Sequence, residues 1–437
     1  MNGTVTPPVG RFSRHVHRSR AAGRLVVQPR MGFATPERMR AGLAAVRDLA
    51  VGPAPRAATA GTVTLDSFTR VDDHRGALRA LRSGAELNGF PLVVHGPEAT
   101  RAMLAGIVAE DFPVQVRHGC ALPLRLLRTM AAAGVDATEG GPVSYCLPYG
   151  RVPLRDSVRA WARCCELIAA QDEPMHLESF GGSMLGQLCP PSVLVALTVL
   201  EALFFRAHGV RGVSVSYAQQ THPGQDLEAL SALRRLAGER LTGMDWHVVL
   251  YTFMGVFPRT PVGAFRLVEE SARLAVRGGA DRLVVKTPAE AHRIPTVAEN
   301  VDALEFAAAV AADEAGRVAP AGPARVTGVY EEAALLVDRV LELADDVGEA
   351  LVRAFAAGLL DVPYCLHPDN ANRARARVDP YGVLRWADPA DVPVARDTVP
   401  SPEPVGPWGL LGMLSFHERR CDAEDLLGRR PAEGVSA

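Results

Sequence analysis

The chain has 437 residues, with 47 basic against 49 acidic, 48% hydrophobic and 22% charged. That balance argues against a binder of nucleic-acid phosphates, and the length suits one large domain with a sizeable core plus a smaller appendage. Seven cysteines without Cys-x-x-Cys spacing indicate neither a zinc site nor a disulfide framework, and no signal-peptide pattern or apolar run of about 18 residues occurs, so a cytoplasmic protein free of the membrane is expected.

After an N-terminal arm (1–23), valine-rich runs bounded by Gly or Pro predict strands in RLVVQPR (24–30), GTVTLDSFTR (61–70), GFPLVVHG (89–96) and FPVQVRHG (112–119). They continue with PMHLESFGG (174–182), GVSVSYAQQ (212–220), DWHVVLYTFMG (245–255) and RLVVKT (282–287). Amphipathic helical segments such as PERMRAGLAAVRDLA and QDLEALSALRRLAGERL fall between them. Eight alternating units predict a (β/α)8 barrel of the TIM type over 24–320, with its site at the C-terminal mouth of the strands. An open doubly wound sheet is the alternative, but Arg-Met-Gly-Phe follows RLVVQP where a Gly-rich phosphate turn belongs. Residues 321–437 read as a smaller C-terminal subdomain, helical at first and Pro-rich after about 361, ending in a loose tail.

Three strand ends carry arginine: Arg30, Arg70 and Arg117. Burying even one unpaired charge costs several kcal/mol, so an anion must share that space. Either each guanidinium pairs with a protein carboxylate, Asp66 being the candidate for one, or the three grip a substrate bearing two carboxylates. The segment ATEGGPVSYCLPYG (137–150) is too polar and Gly-rich for core and is expected as a loop presenting Glu139, Tyr145 and Tyr149. A carboxylate facing a dianion makes sense if the substrate is also an ammonium; a Glu139 that caps backbone N–H groups is the other reading. Glu178 and Phe180 stand at the next mouth position, where Gly181 and Gly182 either admit a ligand closely or form a strained turn.

Lys286 is the only lysine among the 47 basic residues. It ends the run Leu283-Val284-Val285, just before Thr287-Pro288-Ala289-Glu290, which matches a helix capping box and gives Glu290 a structural reading beside a ligand-binding one. Arginine-favouring composition could leave such a lysine by chance. Two chemistries also explain it, Schiff-base formation by a desolvated amine or hydrogen bonding to a cofactor, and spacing does not separate them.

The ordered motifs QPRMG, TLDSFTR, LNGFP, VRHG, ATEGGPVSYCLPYG, ESFGG, LCPPS and VVKTPAEAHRIPT together resemble the large (epsilon) subunit of coenzyme B12-dependent glutamate mutase, also called methylaspartate mutase, from about Arg24 to Thr296. The resemblance implies a (β/α)8 barrel that shares adenosylcobalamin with a small B12-binding subunit and isomerises L-glutamate to 3-methylaspartate. It implies that Arg30, Arg70 and Arg117 hold the substrate carboxylates. Glu139 would be the catalytic partner of the amino group, with His118, Tyr145 and Tyr149 nearby. It also implies that Lys286 and Glu290 meet the adenosyl ribose, while Gly32, Asn88, Pro148, Glu178, Phe180, Met254 and Ile294 line the cofactor. A homodimer of large subunits within a heterotetramer is the implied assembly.

This chain departs from the fermentative branch of that family in Phe68 for tyrosine, in a longer FGGSMLGQLCPP loop and in SYAQQT. A base-off B12 site needs Asp-x-His-x-x-Gly; Asp72-Asp73-His74-Arg75-Gly76 is one residue short and reads as a helix start, so the motif is expected on the partner. A Schiff-base lyase acting through Lys286 and a non-catalytic acidic amino-acid-binding paralogue are the alternatives.

Overall fold

A parallel strand must be followed by a crossover before its neighbour can pair, and this sequence supplies a helix at nearly every crossover. The computed structural model describes residues 9–51, 55–148, 150–184, 188–317, 328–394 and 406–428. Helix α1 (Arg11–Ala21) leads into β1 (Val26–Pro29), followed by α2 (Pro36–Arg47), whose start is set by Thr35 as N-cap and Pro36 in the first turn. Strands β2 (Ala58–Thr59) and β3 (Gly61–Thr64) flank Ala60 and act as one interrupted stave. The first pairs with β1, the second with β4 (Val114–Arg117). Between β3 and β4 come α3 (Ser67–Arg70), α4 (His74–Arg82) and α5 (Leu92–Leu104).

Around the ring follow α6 (Leu124–Ala133), β5 (Ala137–Gly140), α7 (Leu154–Ala169), β6 (His176–Ser179), α8 (Pro191–Ala207) and β7 (Gly212–Ala218). Then come α9 (Pro223–Arg240), β8 (Asp245–Tyr251), α10 (Pro261–Arg277), β9 (Arg282–Val285) and α11 (Val297–Arg317). Strand β9 pairs with β1 in register Val26↔Arg282, so all staves are parallel and the ring closes as the expected (β/α)8 barrel.

Two expectations need correction, and they offset each other in the count. The run 89–96 is not a strand: α5 starts at Leu92, and only Phe90 keeps a single bridge, to Leu65. Pro91 lacks the N–H an inner strand needs, and Val93 to His95 are only half-buried. Conversely, Ala137–Gly140, expected as loop, is a fully buried strand. Its polar residues are satisfied locally, Thr138 donating to the Val116 carbonyl at 3.0 Å and Glu139 pairing with Arg117, so hydrophobicity did not reveal it.

The barrel interior is unusually polar. Gln28, Gln115, Glu178, Ser214 and Arg282 come from five staves and hydrogen-bond to one another, with Gln28 Nε2 2.8 Å from Gln115 Oε1 and Arg282 paired with Glu178. Helix α1 closes the N-terminal end beneath this belt. Phe12 stacks on His176 at 5.2 Å and lies 4.9 Å from the Arg282 guanidinium, and Ser13 meets His176 Nδ1 at 3.0 Å.

Helix α8 is apolar on nearly every face because it is covered twice. The barrel packs on one side, and α12 (Val329–Leu341) and α13 (Val347–Ala357) on the other. A hairpin of β10 (Arg375–Val378) and β11 (Leu384–Asp388) reaches the barrel through Gln225, which bonds both the N–H and carbonyl of Leu384. Finally α14 (Pro407–Leu414) and α15 (Phe416–Gly428) follow, with Asp422 accepting the N–H groups of Arg259 and Thr260. Among the described residues, no helix is long and apolar enough to cross a membrane.

Candidate functional site

Side chains alternate in and out along a barrel strand, so residues two apart share the interior. The belt residues Gln28, Gln115 and Glu178 therefore place Arg30, Arg117 and Phe180 one layer nearer the C-terminal mouth, and Lys286, four residues beyond Arg282, is brought level with Arg30 by the β1–β9 register. Two clusters form there.

The first centres on Glu139, at the end of β5 and 1% exposed. Arg117 Nε donates to its Oε2 at 2.7 Å, Tyr251 donates to the same oxygen at 2.8 Å, and the Tyr145 phenol donates to Oε1. The Arg117 guanidinium lies 4.9 Å from the centre of the Tyr251 ring, while its Nη1 is buried with no hydrogen-bond partner. Arg70, at the end of α3, has its Nε buried and equally unpartnered, and lines a cavity of about 200 Å³ together with Tyr145, Gly119 and Cys120. Phe180 walls the cluster between Tyr145 at 5.3 Å and Tyr251 at 5.5 Å. His118 stacks on Trp161 at 5.8 Å and meets Tyr145 edge-on at 4.9 Å. Burial, aided by the Arg70 charge, pushes the His118 pKa down to about 3, so the ring is neutral at physiological pH. Its Nδ1 accepts the Cys120 N–H at 3.0 Å, which places the ring hydrogen on Nε2.

The second cluster lies between the ends of β1 and β9. Glu290 pairs with Arg30 at 2.8 Å and, in keeping with the capping-box pattern, also accepts the Thr287 N–H at 3.3 Å. Lys286 is 6% exposed, with Nζ 4.0 Å from Glu290 Oε2 and 4.7 Å from the centre of the Phe257 ring. Burial lowers its pKa to about 8, against the opposing pull of Glu290. Its ammonium thus has a carboxylate nearby but just beyond hydrogen-bonding reach.

The remaining anticipated residues divide. Glu178 sits inside the barrel, behind Tyr251, whose hydroxyl reaches it, and its other oxygen pairs with Arg282. Asn88 accepts the Ser67 N–H at 2.9 Å, and Gly32 is packed against the Thr64 backbone. Pro148, Met254 and Ile294 follow the C-terminal ends of β5, β8 and β9, with Ile294 exposed and the other two half-buried. Tyr149 lies outside the described residues.

Two readings are corrected. Asp66 caps α3, accepting the N–H groups of Phe68 (2.9 Å) and Thr69 (3.0 Å), and among the described residues it pairs with no arginine. Gly181 and Gly182 make room for protein: a Cβ on either would collide with the backbone, at Thr198 and Ser216 respectively. Asp73 caps α4 through the Gly76 N–H at 2.8 Å, as the helix-start reading expected. Among the described residues no cluster of His, Cys, Asp or Glu could hold a metal ion.

Sequence reasoning missed Tyr251 and Trp161. The first could have been found by counting inward positions from His247 along β8; the second, on α7, gives no local sign of its contact with His118.

Fold and site together define a (β/α)8-barrel protein with a charged, aromatic-walled site at the C-terminal mouth. Residues 6–401 match the family described as methylaspartate mutase E chain (MutE), and the chain belongs to that family. The glutamate mutase epsilon subunit of Yersinia enterocolitica is 32% identical over 354 residues, covering 77% of this chain and 73% of the relative. That of Halobacterium salinarum is 32% identical, covering 69% and 65%. Among solved structures, phospho-2-dehydro-3-deoxyheptonate aldolase from Francisella tularensis overlays with a TM-score of 0.40 at 10% identity, covering 71% of this chain and 94% of that one.

Proposed function

We propose that this chain is the large, substrate-holding subunit of an adenosylcobalamin-dependent glutamate mutase, an isomerase that converts L-glutamate to L-threo-3-methylaspartate. The observation that carries the reading is the pair of buried guanidinium donors without acceptors, Arg117 Nη1 beside the carboxylate of Glu139 and Arg70 Nε in the cavity lined by Tyr145. Two cations and one anion complement a substrate with two carboxylates and one ammonium.

Arg70 and Arg117 engage the carboxylates, and Glu139 exchanges part of its contact with Arg117 for the substrate ammonium. Tyr145 and Tyr251 hold Glu139 in place, so the exchange needs no movement of the carboxylate itself. Neutral His118 offers an Nε2 hydrogen to an oxygen without adding charge. Phe180 and Tyr251 give walls that exclude water from a reactive fragment.

The second cluster suits the cofactor's ribose: Lys286 is a buried donor whose nearest carboxylate oxygen is 4.0 Å away, and Glu290 can accept from a hydroxyl. Arg30, held by Glu290, stands beside it and can turn toward a substrate carboxylate. When bound, adenosylcobalamin supplies the radical chemistry that starts the rearrangement. A small partner subunit carrying Asp-x-His-x-x-Gly would supply the histidine that helps hold the cofactor. A heterotetramer with two large subunits is the assembly this reading takes.

One observation favours a second reading. The Lys286 pKa of about 8 is low enough to supply a free amine for a Schiff-base lyase acting on an acidic amino acid. Borohydride treatment in the presence of substrate separates the two: a covalent adduct on Lys286 supports the lyase, while unmodified Lys286 with cobalamin-dependent formation of 3-methylaspartate supports the mutase.

A further inference from the structure

Helix α8 carries one acid in an otherwise apolar run, Glu201, and it is fully buried. Its Oε1 accepts the N–H groups of Val143 (3.1 Å) and Ser144 (2.9 Å), and its Oε2 accepts the hydroxyls of Ser144 (3.0 Å) and Ser179 (2.8 Å). Thr198 extends the network, donating to Ser179 Oγ at 3.1 Å and accepting the Ser216 N–H at 3.0 Å. One carboxylate therefore ties the segment after β5 to the end of β6 and, through Thr198, to β7. Gly141 is glycine because a Cβ there would overlap the Glu201 carboxylate.

We infer that Glu201 is a positioning residue for substrate recognition: it fixes the segment that delivers the Tyr145 phenol to Glu139. The link is short. Ser144, held by backbone and hydroxyl, directly precedes Tyr145, whose N–H bonds to the Gly141 carbonyl at 3.2 Å and whose phenol donates to Glu139. Burial raises the Glu201 pKa to about 7, so both protonation states occur near neutrality. Oε1 can keep both backbone N–H groups in either state, because a proton on Oε2 can be donated to a serine hydroxyl. By the same logic glutamine can replace the acid, its carbonyl taking the backbone and its amide facing the hydroxyls. Leucine, of similar size, satisfies none of the four donors.

The inference rests on the proposed assignment of Glu139 to the substrate ammonium, so the test compares L-glutamate with glutarate, which has both carboxylates and no ammonium. Affinities are measured calorimetrically on the full chain, alongside hydrogen exchange of residues 141–148. Glu201→Leu should weaken glutamate binding about tenfold, leave glutarate nearly unchanged and speed exchange in 141–148; Glu201→Gln should match wild type in all three. A purely structural role would weaken both ligands together or neither.

Should Glu201→Leu not fold, the double variant Ser144→Ala/Ser179→Ala carries the same comparison with a loss of about threefold. Glutamate selectivity kept in whichever of these variants folds would overturn the inference. Wild-type chain that binds glutamate no better than glutarate would instead overturn the assignment of Glu139, and the inference with it.

Discussion

Replacing Arg117 by lysine keeps a positive charge at the end of β4 but removes the planar fork. In the structure Nε is committed to Glu139 at 2.7 Å, leaving the buried Nη1 as the donor free for a ligand. A lysine ammonium still has donors when bound to Glu139, but it cannot reach a substrate carboxylate at the Nη1 position that the planar fork fixes. A charge-assisted hydrogen bond is worth about 1.5–3 kcal/mol, and a weaker stack on Tyr251 adds up to about 1 kcal/mol. The sum, about 1.5–4 kcal/mol, corresponds to a rise in KM for glutamate of roughly 10- to 700-fold. The assay is steady-state formation of 3-methylaspartate by the enzyme reconstituted with its small subunit and adenosylcobalamin, with thermal melting in parallel. Lysine preserves the countercharge for Glu139, so melting should move little. Arg117→Ala instead leaves a buried carboxylate without its cation, at a cost of about 3–5 kcal/mol in stability. An Arg117→Lys enzyme with unchanged KM would remove Arg117 from the substrate site and refute the reasoning.

Lys286→Ala should lower adenosylcobalamin affinity by about 0.5–1.5 kcal/mol per lost ribose hydrogen bond while the melting temperature stays nearly fixed. Glu290 keeps Arg30 as partner, and loss of a desolvated charge offsets the cavity; early melting with normal cofactor binding would make the lysine structural. The isolated chain should bind adenosylcobalamin weakly and gain affinity with its partner, and a stoichiometric complex showing histidine coordination in its spectrum would contradict this. Glu201→Gln should flatten one component of stability against pH. Because the folded pKa of Glu201 is raised from 4.5 to about 7, folded wild type holds a proton that the unfolded chain has lost in that window. Wild-type stability therefore falls relative to Glu201→Gln as pH rises from 4.5 to 7, by on the order of 3 kcal/mol, and parallel denaturant curves across that range would disprove it.

Much of the barrel was legible because its staves obey simple rules: valine-rich runs ending in Gly or Pro and separated by amphipathic helices. The failures have a common physical origin, the polar interior. A strand whose inward residues are Ala137 and Glu139 does not look like core, so β5 read as loop, while the apolar 89–96 run, half-exposed on α5, read as strand. The stave-end positions of Arg30, Arg117, Phe180 and Lys286 were visible in sequence because a place at the end of a strand is a local property. Partnerships were not. Nothing near Asp66 says that it caps α3 instead of meeting Arg70, and nothing near Ser144 points to Glu201, 57 residues away. The one clue was the acid itself, alone in an apolar helix where burial without partners would be costly.

The most direct test of the central claim is product formation in a defined mixture: this chain, its cognate small subunit, adenosylcobalamin and L-glutamate, followed for 3-methylaspartate. 3-Methylaspartate is expected only when all four are present, and is lost on Glu139→Gln in a chain that stays folded at the assay temperature. Unchanged glutamate in the complete mixture, where a two-subunit relative assayed alongside turns over, would contradict it.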